Sequence, residues 1–271
     1  MNARPPSERR APAKINLGLA VGPLRPDGLH EVATILQRLD LADTISLEPA
    51  ARLAVHGFPG DTLVRRALEA IGAAAGVEPS WEAQIRKLIP VAAGLGGGSS
   101  DAASALVLAN GLLERPLPRE GLAAIARRLG SDVPFFLEPG PQLASGNGTT
   151  LEPLELPQDY SVALLLPAGA HKPSTGSVYA RFRGEAGFAE RRLRLREIAA
   201  AGASADLAAL PGNDLARSPH AERMCELGAF RAEVSGAGPT VYGLFAERGA
   251  AAAAAASLAG LGTTWLATPA W

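Results

Sequence analysis

The chain has 271 residues, which is enough for one large domain or about two of ordinary size. Apolar residues make up 47% of the sequence, so it can bury a core, and a disordered chain is excluded. The net charge is −1 and basic residues form no long run, so the composition indicates neither nucleic acid nor an anionic membrane as a partner.

Alternating apolar residues predict a half-buried strand over residues 13–21. Lys14 and Asn16 lie side by side on its other face, because successive side chains of a strand point to opposite sides. Further along, the pattern predicts a turn, an extended segment, two short strands, a helix capped by Asp61 or Thr62, and another strand. In that order, these elements cover residues 25–28, 29–41, 44–48, 53–56, 61–75 and 84–88.

The last of these strands leads into a glycine-rich segment that precedes a helix ending at Leu113. The segment consists of Pro90, Val91, Ala92, Ala93, Gly94, Leu95, Gly96, Gly97, Gly98, Ser99 and Ser100. Glycines allow a positive φ and a close approach of the backbone to a ligand, and the two serines stand where the helix is predicted to begin. Because the unpaired N–H groups of a first helical turn bind anions, this glycine loop is predicted to bind phosphate.

Spacing excludes the two most familiar phosphate loops. A Walker A loop requires a lysine directly after its last glycine, where Ser99 stands. The dinucleotide fingerprint requires a third glycine at a position that Ser99 or Asp101 occupies here. The sequence therefore predicts a phosphate loop of another type.

The second half of the chain alternates helices and strands without a regular βαβ rhythm. A helix over residues 118–129 ends at Gly130, and a proline-punctuated linker covers residues 152–157. Helices are predicted over residues 176–182, 188–201, 221–227 and 249–258, and strands over residues 162–166, 231–234, 241–245 and 263–266. This order indicates an α+β protein with two lobes that meet near residue 156.

Composition also bears on redox chemistry, metal binding and location. Cys225 is the single cysteine, which excludes a disulfide framework, and no two of the four histidines have the i, i+4 spacing of a zinc site. The N-terminus is polar and Lys14 interrupts the first apolar run, so no secretory signal is predicted. The alanine-rich stretch 250–256 is too short to span a bilayer. We therefore expect a cytoplasmic protein.

Lysine is scarce in this chain. Of 26 basic residues only Lys14, Lys87 and Lys172 are lysines, and arginine serves almost everywhere else. A lysine in such a background indicates a site that requires a compact ammonium rather than a planar guanidinium. Lys14 and Lys87 stand close in sequence to the motifs considered next.

Six separated segments resemble, in the same order, the motifs of the GHMP kinases, a superfamily that includes galactokinase, homoserine kinase and mevalonate kinase. They are residues 11–17, 25–31, 90–101, 130–136, 213–215 and 234–241. The glycine loop is most similar to one branch, the kinases of 4-diphosphocytidyl-2-C-methyl-D-erythritol. The resemblance implies an α+β fold with an N-terminal lobe over residues 1–156, like the second domain of ribosomal protein S5. It also implies a ferredoxin-like C-terminal lobe over residues 157–271, with the site between the lobes.

The resemblance also implies the catalytic residues and the ATP site. Asp132 matches the family's catalytic aspartate, although taken alone it could cap the segment that follows it. Lys14 would lie beside it and hold its carboxylate in the ionised form; its alternative is a strand lysine that extends to solvent. ATP is expected to bind to Lys87 and residues 90–100. Ser99 and Ser100 are expected to help coordinate Mg²⁺ between the phosphates.

For the second substrate, the resemblance implies contacts from Asn16, Leu29, His30 and Thr175. The branch usually has a tyrosine at the position of Leu29, where its ring stacks on cytosine beside the histidine. We therefore expect Tyr179 or Phe182 to supply a ring in this chain. At Thr62 the family has an asparagine in its adenine pocket.

The resemblance thus predicts ATP- and Mg²⁺-dependent phosphorylation of the 2-hydroxyl of 4-diphosphocytidyl-2-C-methyl-D-erythritol, a step of non-mevalonate isoprenoid biosynthesis. The expected partner is this cytidine diphosphate-linked methylerythritol, and the expected state is a monomer or weak homodimer. One alternative is another small-alcohol kinase of the superfamily, such as homoserine kinase; His30 and the triple glycine argue against it. A second is a non-catalytic nucleotide-binding regulator; the presence of both Lys14 and Asp132 argues against it.

Overall fold

The structure is a computed structural model that describes residues 7–170, 174–184, 186–200 and 202–271, so Lys172 lies outside the described residues. The strands are β1 (Ser7–Leu24), β2 (His30–Pro49), β3 (Ala54–His56), β4 (Trp81–Arg86), β5 (Gln142–Gly146), β6 (Thr150–Pro153), β7 (Ser161–Pro167), β8 (Arg231–Val234), β9 (Val241–Phe245), β10 (Gly262–Ala267) and β11 (Pro269–Ala270). The helices are α1 (Leu63–Ala75), α2 (Gly97–Leu112), α3 (Arg119–Leu129), α4 (Thr175–Arg181), α5 (Phe188–Ala199), α6 (Pro219–Glu226) and α7 (Arg248–Leu258). Three short 3₁₀ helices cover Pro134–Leu137, Ser204–Ala209 and Ala259–Leu261. The predicted α+β class is confirmed.

The described chain forms two compact units, each built from separated segments. The first contains residues 7–13, 41–91 and 96–139, and the second contains residues 14–40, 92–95 and 140–271. The division into lobes at residue 156 stays a prediction.

In the first unit, β4 pairs antiparallel with the end of β2 and parallel with β3. Helices α1, α2 and α3 pack against one another, and half of the residues that α2 buries are alanines, which allow close helix packing. Of the two predicted caps of α1, Asp61 is the one whose carboxylate accepts the backbone N–H of Val64, at 2.9 Å. At the other end, Gly76 closes the helix in the left-handed conformation.

The second unit contains an antiparallel sheet of order β10-β7-β9-β8. Helices α6 and α7 cover one side, and their buried apolar residues form a core with Ala163, Leu165 and Phe245 of the sheet. The beginning of β2 pairs with β5, and β11 also pairs with β2. None of the helices in the described ranges is both long and apolar enough to cross a membrane.

The structure corrects three predicted boundaries. The extended segment and the strand predicted over residues 29–48 are one strand, β2, since both halves find partners in sheets. Helix α2 begins at Gly97 rather than at Ser99, because Gly96 takes the cap position with φ of 71°. Strand β4 ends at Arg86 instead of Leu88, because a buried carboxylate takes the next backbone N–H groups.

Candidate active site

In the second unit, Lys14 and Asn16 of β1 form the start of a directed hydrogen-bond chain. Both are buried, with 4% and 6% of their surface exposed. The Lys14 ammonium donates to Asn16 Oδ1 at 2.7 Å, and Asn16 Nδ2 donates to the Thr34 hydroxyl at 2.9 Å. That hydroxyl in turn donates to the carbonyl of Gly18 at 2.7 Å. This series of hydrogen bonds fixes the orientation of the Asn16 amide and the position of the Lys14 ammonium, because each donor in it faces one acceptor.

The backbone beside Asn16 is held by two buried side chains from β8 and β9. The Tyr242 hydroxyl is shared between the carbonyls of Asn16 and Leu17, at 3.0 and 3.1 Å. Arg231 donates to the Leu17 carbonyl at 2.8 Å, and its other nitrogens donate to carbonyls between residues 207 and 211. Strand β1 is therefore fixed by polar contacts as well as by its apolar core.

A second glycine loop, residues 235–238, lies directly against the Lys14–Asn16 pair. Gly236 has φ of 57°, and a Cβ built on it would lie 3.0 Å from Asn16 Oδ1 and 3.6 Å from Lys14 Nζ. Asn213 holds this loop, since its Nδ2 donates to the carbonyls of Val234 and Gly236 at 2.8 and 2.7 Å. A glycine is required at position 236 both by conformation and by space.

We expect Gly236→Ala to lower the free energy of unfolding by about 1 kcal/mol through left-handed strain. It should also lower kcat, because its methyl group would displace Asn16 and the ammonium bound to it. Chemical denaturation and steady-state kinetics measure the two effects. Gly249→Ala in α7, where a Cβ would meet nothing within 4 Å, is the matched control. Unchanged kinetics in the Gly236 variant would show that this loop does not act on Lys14.

The predicted glycine loop has an unusual backbone. Gly94 and Gly96 have φ of 84° and 71°, and Ala92 has φ of 54°, the one positive value among non-glycine residues of the described chain. Non-glycine residues adopt this conformation at a cost in free energy, and such strain is concentrated at functional loops. The strain at Ala92 therefore supports a ligand-binding role for the loop.

Contacts within the second unit hold residues 93–95 of the glycine loop. The carbonyls of Ala93, Gly94 and Leu95 accept, in order, the N–H of Thr240 at 3.1 Å, the hydroxyl of Ser235 at 3.0 Å and the N–H of Lys14 at 2.9 Å. The two glycine loops and the Lys14 strand are thus joined by hydrogen bonds.

In the first unit, the rest of the loop forms the beginning of α2. The N–H of Ser100 donates to the Gly96 carbonyl at 2.9 Å, and the N–H groups before it precede the first helical hydrogen bond. Ser99 is half-buried, whereas Ser100 is fully buried. The first turn of α2 can therefore receive an anion through its backbone, and Ser99 has the more accessible hydroxyl.

The predicted ATP ligand Lys87 lies between two buried carboxylates. Its ammonium donates to Asp43 Oδ2 and, at 2.8 Å, to Asp101 Oδ2. In the sequence, Asp101 was noted as a residue that stands where the dinucleotide fingerprint requires a glycine. Asp43 was not predicted to take part in the site. Its one sequence signal is an acidic residue within the apolar run 41–47, at a position that β2 buries completely.

Burial and the neighbouring charges shift the pKa values of Asp101 and Lys87 in this cluster. Burial raises the pKa of Asp101 to about 7, with a smaller increase from Asp43, and the Lys87 ammonium opposes it. Burial alone would lower the pKa of Lys87, but the two carboxylates outweigh that effect and raise it. The two carboxylates therefore keep the Lys87 ammonium charged at neutral pH.

Asp132 lies in a turn between α3 and the 3₁₀ helix Pro134–Leu137 of the first unit. Val133 and Phe135 next to it are fully buried, so the turn is anchored in the core while Asp132 itself stays half-buried. Its predicted role as a base stays a prediction.

His30 lies in an aromatic cluster of the second unit. Its Nδ1 is 2.8 Å from the Gly22 carbonyl, which can only accept, so Nδ1 carries a proton and Nε2 of the neutral ring is an acceptor. Tyr179 stacks on the ring with centroids 6.1 Å apart, and Phe182 meets it edge-on at 5.6 Å. The two aromatic residues suggested by the sequence thus lie at His30.

Leu29 and Thr175 complete the predicted substrate contacts. Leu29 has 48% of its surface exposed and follows a turn in which its N–H donates to Asp27 Oδ1 at 3.1 Å. Thr175 is exposed and begins α4, whose cap is Ser174. Their roles in binding stay predictions. No group of three His, Cys, Asp or Glu side chains able to hold a metal ion is found within the described part of the chain.

Comparison with known proteins gives matches to two family models. The model for the GHMP kinases N-terminal domain matches residues 62–140. The model for the GHMP kinases C-terminal region matches residues 221–262. The first includes the glycine loop and Asp132, and the second includes the second glycine loop.

Individual relatives agree with these matches. The 4-diphosphocytidyl-2-C-methyl-D-erythritol kinase of Rhodococcus jostii strain RHA1 is 40% identical over 276 residues, which cover 93% of this chain and 88% of that protein. A crystal structure of 4-(cytidine 5'-diphospho)-2C-methyl-D-erythritol kinase has a TM-score of 0.80 at 34% identity and covers 98% of this chain and 100% of that chain. The crystal structure of homoserine kinase from Cytophaga hutchinsonii has a TM-score of 0.77 and covers 100% of this chain and 96% of that chain. It is 16% identical in sequence, so this match indicates the shared fold alone.

Proposed function

We propose that this chain, which belongs to the GHMP kinase family, transfers the γ-phosphoryl group of ATP to the 2-hydroxyl of 4-diphosphocytidyl-2-C-methyl-D-erythritol. The observation that carries the proposal is the 40% identity with the Rhodococcus jostii kinase over nearly the whole of both chains. The hydrogen bond from Lys14 to the first glycine loop, and the bond from Ser235 of the second loop to the first, support a role in phosphoryl transfer. We also propose that the reaction takes place in the cytoplasm.

Phosphoryl transfer requires little covalent chemistry from the protein, but it requires positioning and charge. The backbone N–H groups in the first turn of α2 would bind the phosphates of ATP, helped by Lys87. Ser99 would hold Mg²⁺ together with phosphate oxygens, because its hydroxyl is the more accessible of the two serines. Mg²⁺ would neutralise charge that develops on the transferred group.

Asp132 is proposed to accept the proton of the substrate hydroxyl as its oxygen bonds to the γ-phosphorus and the bond to ADP breaks. The Lys14 ammonium would stabilise negative charge on the reacting oxygens, and Asn16 keeps it directed by the 2.7 Å hydrogen bond. Both glycine loops would limit the freedom of this ammonium.

Recognition of the cytosine is proposed to depend on His30. Its Nε2 is an acceptor and suits the exocyclic amine of cytosine. The rings of Tyr179 and Phe182 provide an apolar surface for stacking beside it. Leu29 would add an aliphatic contact where the family has a ring.

We expect Leu29→Tyr to lower KM for the cytidyl substrate. The change should correspond to about 0.5–1.5 kcal/mol of additional binding free energy, the range for an added aromatic pair. KM for ATP and kcat should change little, because a remote contact is equal in the ground and transition states. We expect His30→Ala to raise the same KM, since the cytosine amine loses its acceptor. Steady-state kinetics with each substrate varied measure these effects.

The control for the tyrosine substitution is Leu261→Tyr, at an exposed leucine far along the chain. If the Leu29 and His30 variants both leave KM for the cytidyl substrate unchanged, residues 25–31 do not bind the base. A kinase of a smaller alcohol would then be the better proposal.

A coupled assay with ATP and Mg²⁺ across several alcohols tests the function directly. We expect turnover with 4-diphosphocytidyl-2-C-methyl-D-erythritol and little with homoserine or mevalonate. Preferred turnover of homoserine would establish the small-alcohol alternative. ATP binding with no turnover of any alcohol would instead indicate a regulator.

A further inference from the structure

We propose that Asp43 and Asp101 are positioning residues that act through Lys87 to hold the first turn of α2 in the geometry that binds the phosphates of ATP. The inference rests on the proposed use of ATP and adds two carboxylates, both in the first unit, to the residues on which ATP binding depends.

Asp43 is fully buried in β2, yet its carboxylate has three partners from one short segment. Oδ1 accepts the N–H groups of Leu88 and Ile89 at 2.6 and 2.8 Å, and Oδ2 accepts from the Lys87 ammonium. The β2–β4 register runs from Thr44 opposite Arg86, so Asp43 stands where the next pair would form. Its side chain accepts hydrogen bonds from the backbone of the residues that follow β4, and it thereby fixes the segment that leads into the glycine loop.

Lys87 links Asp43 to α2. Its Nζ donates to Asp101 Oδ2 at 2.8 Å, and Asp101 follows directly after the first turn of the helix. A Cβ built on Gly97 would lie 3.3 Å from Lys87 Nζ and 3.1 Å from Ile89 Cγ2. The ammonium and the segment it belongs to therefore lie against the first residue of the helix, which explains a glycine there.

The cluster has buried charge that ordinary packing would not retain. A buried carboxylate is costly unless it is paired, and Asp101 is 1% exposed with no hydrogen-bond partner for Oδ1 among the described residues. Its Oδ2 accepts from the Lys87 ammonium, which ties the beginning of α2 to the segment that Asp43 holds.

The test measures ATP affinity directly, by calorimetry with ATP and Mg²⁺ and without an alcohol. Asp43→Asn keeps an oxygen for the two backbone N–H groups but turns an amide donor toward the ammonium, so we expect the Kd for ATP to rise at least about tenfold. Asp40→Asn is the matched control, because Asp40 lies in the same strand and its carboxylate accepts from the N–H and the hydroxyl of Thr268 instead of from this cluster. It should leave the Kd unchanged.

Asp101→Ala provides a second measurement that does not depend on how well the Asp43 variant folds, because it removes the acceptor that the Lys87 ammonium has on α2. We expect the Kd for ATP to rise at least about tenfold in Asp101→Ala. Asp101→Asn keeps an amide oxygen that can still accept from Lys87, so it should retain most of the affinity.

A structural role alone would lower the unfolding temperature of these variants and leave their Kd for ATP unchanged. An Asp101→Ala or Asp43→Asn variant that folds and binds ATP as the wild type does would overturn the inference and leave the proposed function intact. Failure of the wild-type protein to bind ATP would overturn the proposed function and the inference with it.

Discussion

Asp132→Asn is expected to fold normally and bind ATP with unchanged affinity, but to lose about 10²–10⁴-fold in kcat. Asparagine has nearly the shape of aspartate and cannot accept a proton from the substrate hydroxyl. The half-buried turn that carries Asp132 is anchored by Val133 and Phe135, so the substitution should not move it. Steady-state kinetics, ATP calorimetry and thermal unfolding measure the three properties.

This variant also separates catalysis from capping. Asparagine caps a helix about as well as aspartate, so a capping role for Asp132 implies near-wild-type turnover in the variant. Asp159→Asn, at an exposed position after the predicted linker, is the matched control and should be neutral. Retained turnover in Asp132→Asn would remove the proposed base from the mechanism.

Lys14→Arg is expected to lower kcat by about 10²-fold or more although the positive charge is kept, the range for loss of one well-placed donor at a developing charge. The guanidinium is larger and planar, and the space beyond the ammonium is occupied, since a Cβ on Gly236 would lie 3.6 Å from Nζ. The hydrogen bond to Asn16 at 2.7 Å could not be kept in the same geometry. Kinetics with saturating ATP measure the loss.

Two further variants show whether crowding or chemistry causes the effect. Lys14→Met has similar length without the charge, and it should lose activity while it keeps most of the stability. Arg223→Lys, at an exposed ion pair with Glu226, makes the reverse exchange and should be neutral. If Lys14→Arg retains most of its turnover, the argument that this site requires a compact ammonium is wrong.

Local patterns predicted much of the site. Alternation over residues 13–21 placed Lys14 and Asn16 on one face, and the structure joins them by a hydrogen bond. Glycine content and the following helix predicted a loop with left-handed backbone, and Gly94 and Gly96 have positive φ values; its binding of phosphate stays a prediction. The start of α2 was predicted two residues late, since serine is a common cap and the glycine at position 96 was not weighed against it.

Long-range partners were not predictable in this way. Asp43 binds Lys87 across 44 residues of sequence, and no spacing rule connects a strand carboxylate to a lysine in a later segment. The same holds for Tyr242, whose hydroxyl meets the backbone of β1 from the other end of the chain. The aromatic cluster at His30 was suggested only by the resemblance, because Tyr179 and Phe182 have no local pattern that points to it.

The contacts of Tyr242 and Arg231 with β1 have a consequence for the synthesis of the protein. Their partners on Leu17 lie 225 and 214 residues earlier in the chain. During translation, the strand that carries Lys14 leaves the ribosome long before the two side chains that hold its carbonyls are added. Contacts so distant in sequence form slowly and late in folding. A nascent chain thus contains Lys14 for more than 200 residues of synthesis before Arg231 and Tyr242 can fix the strand around it.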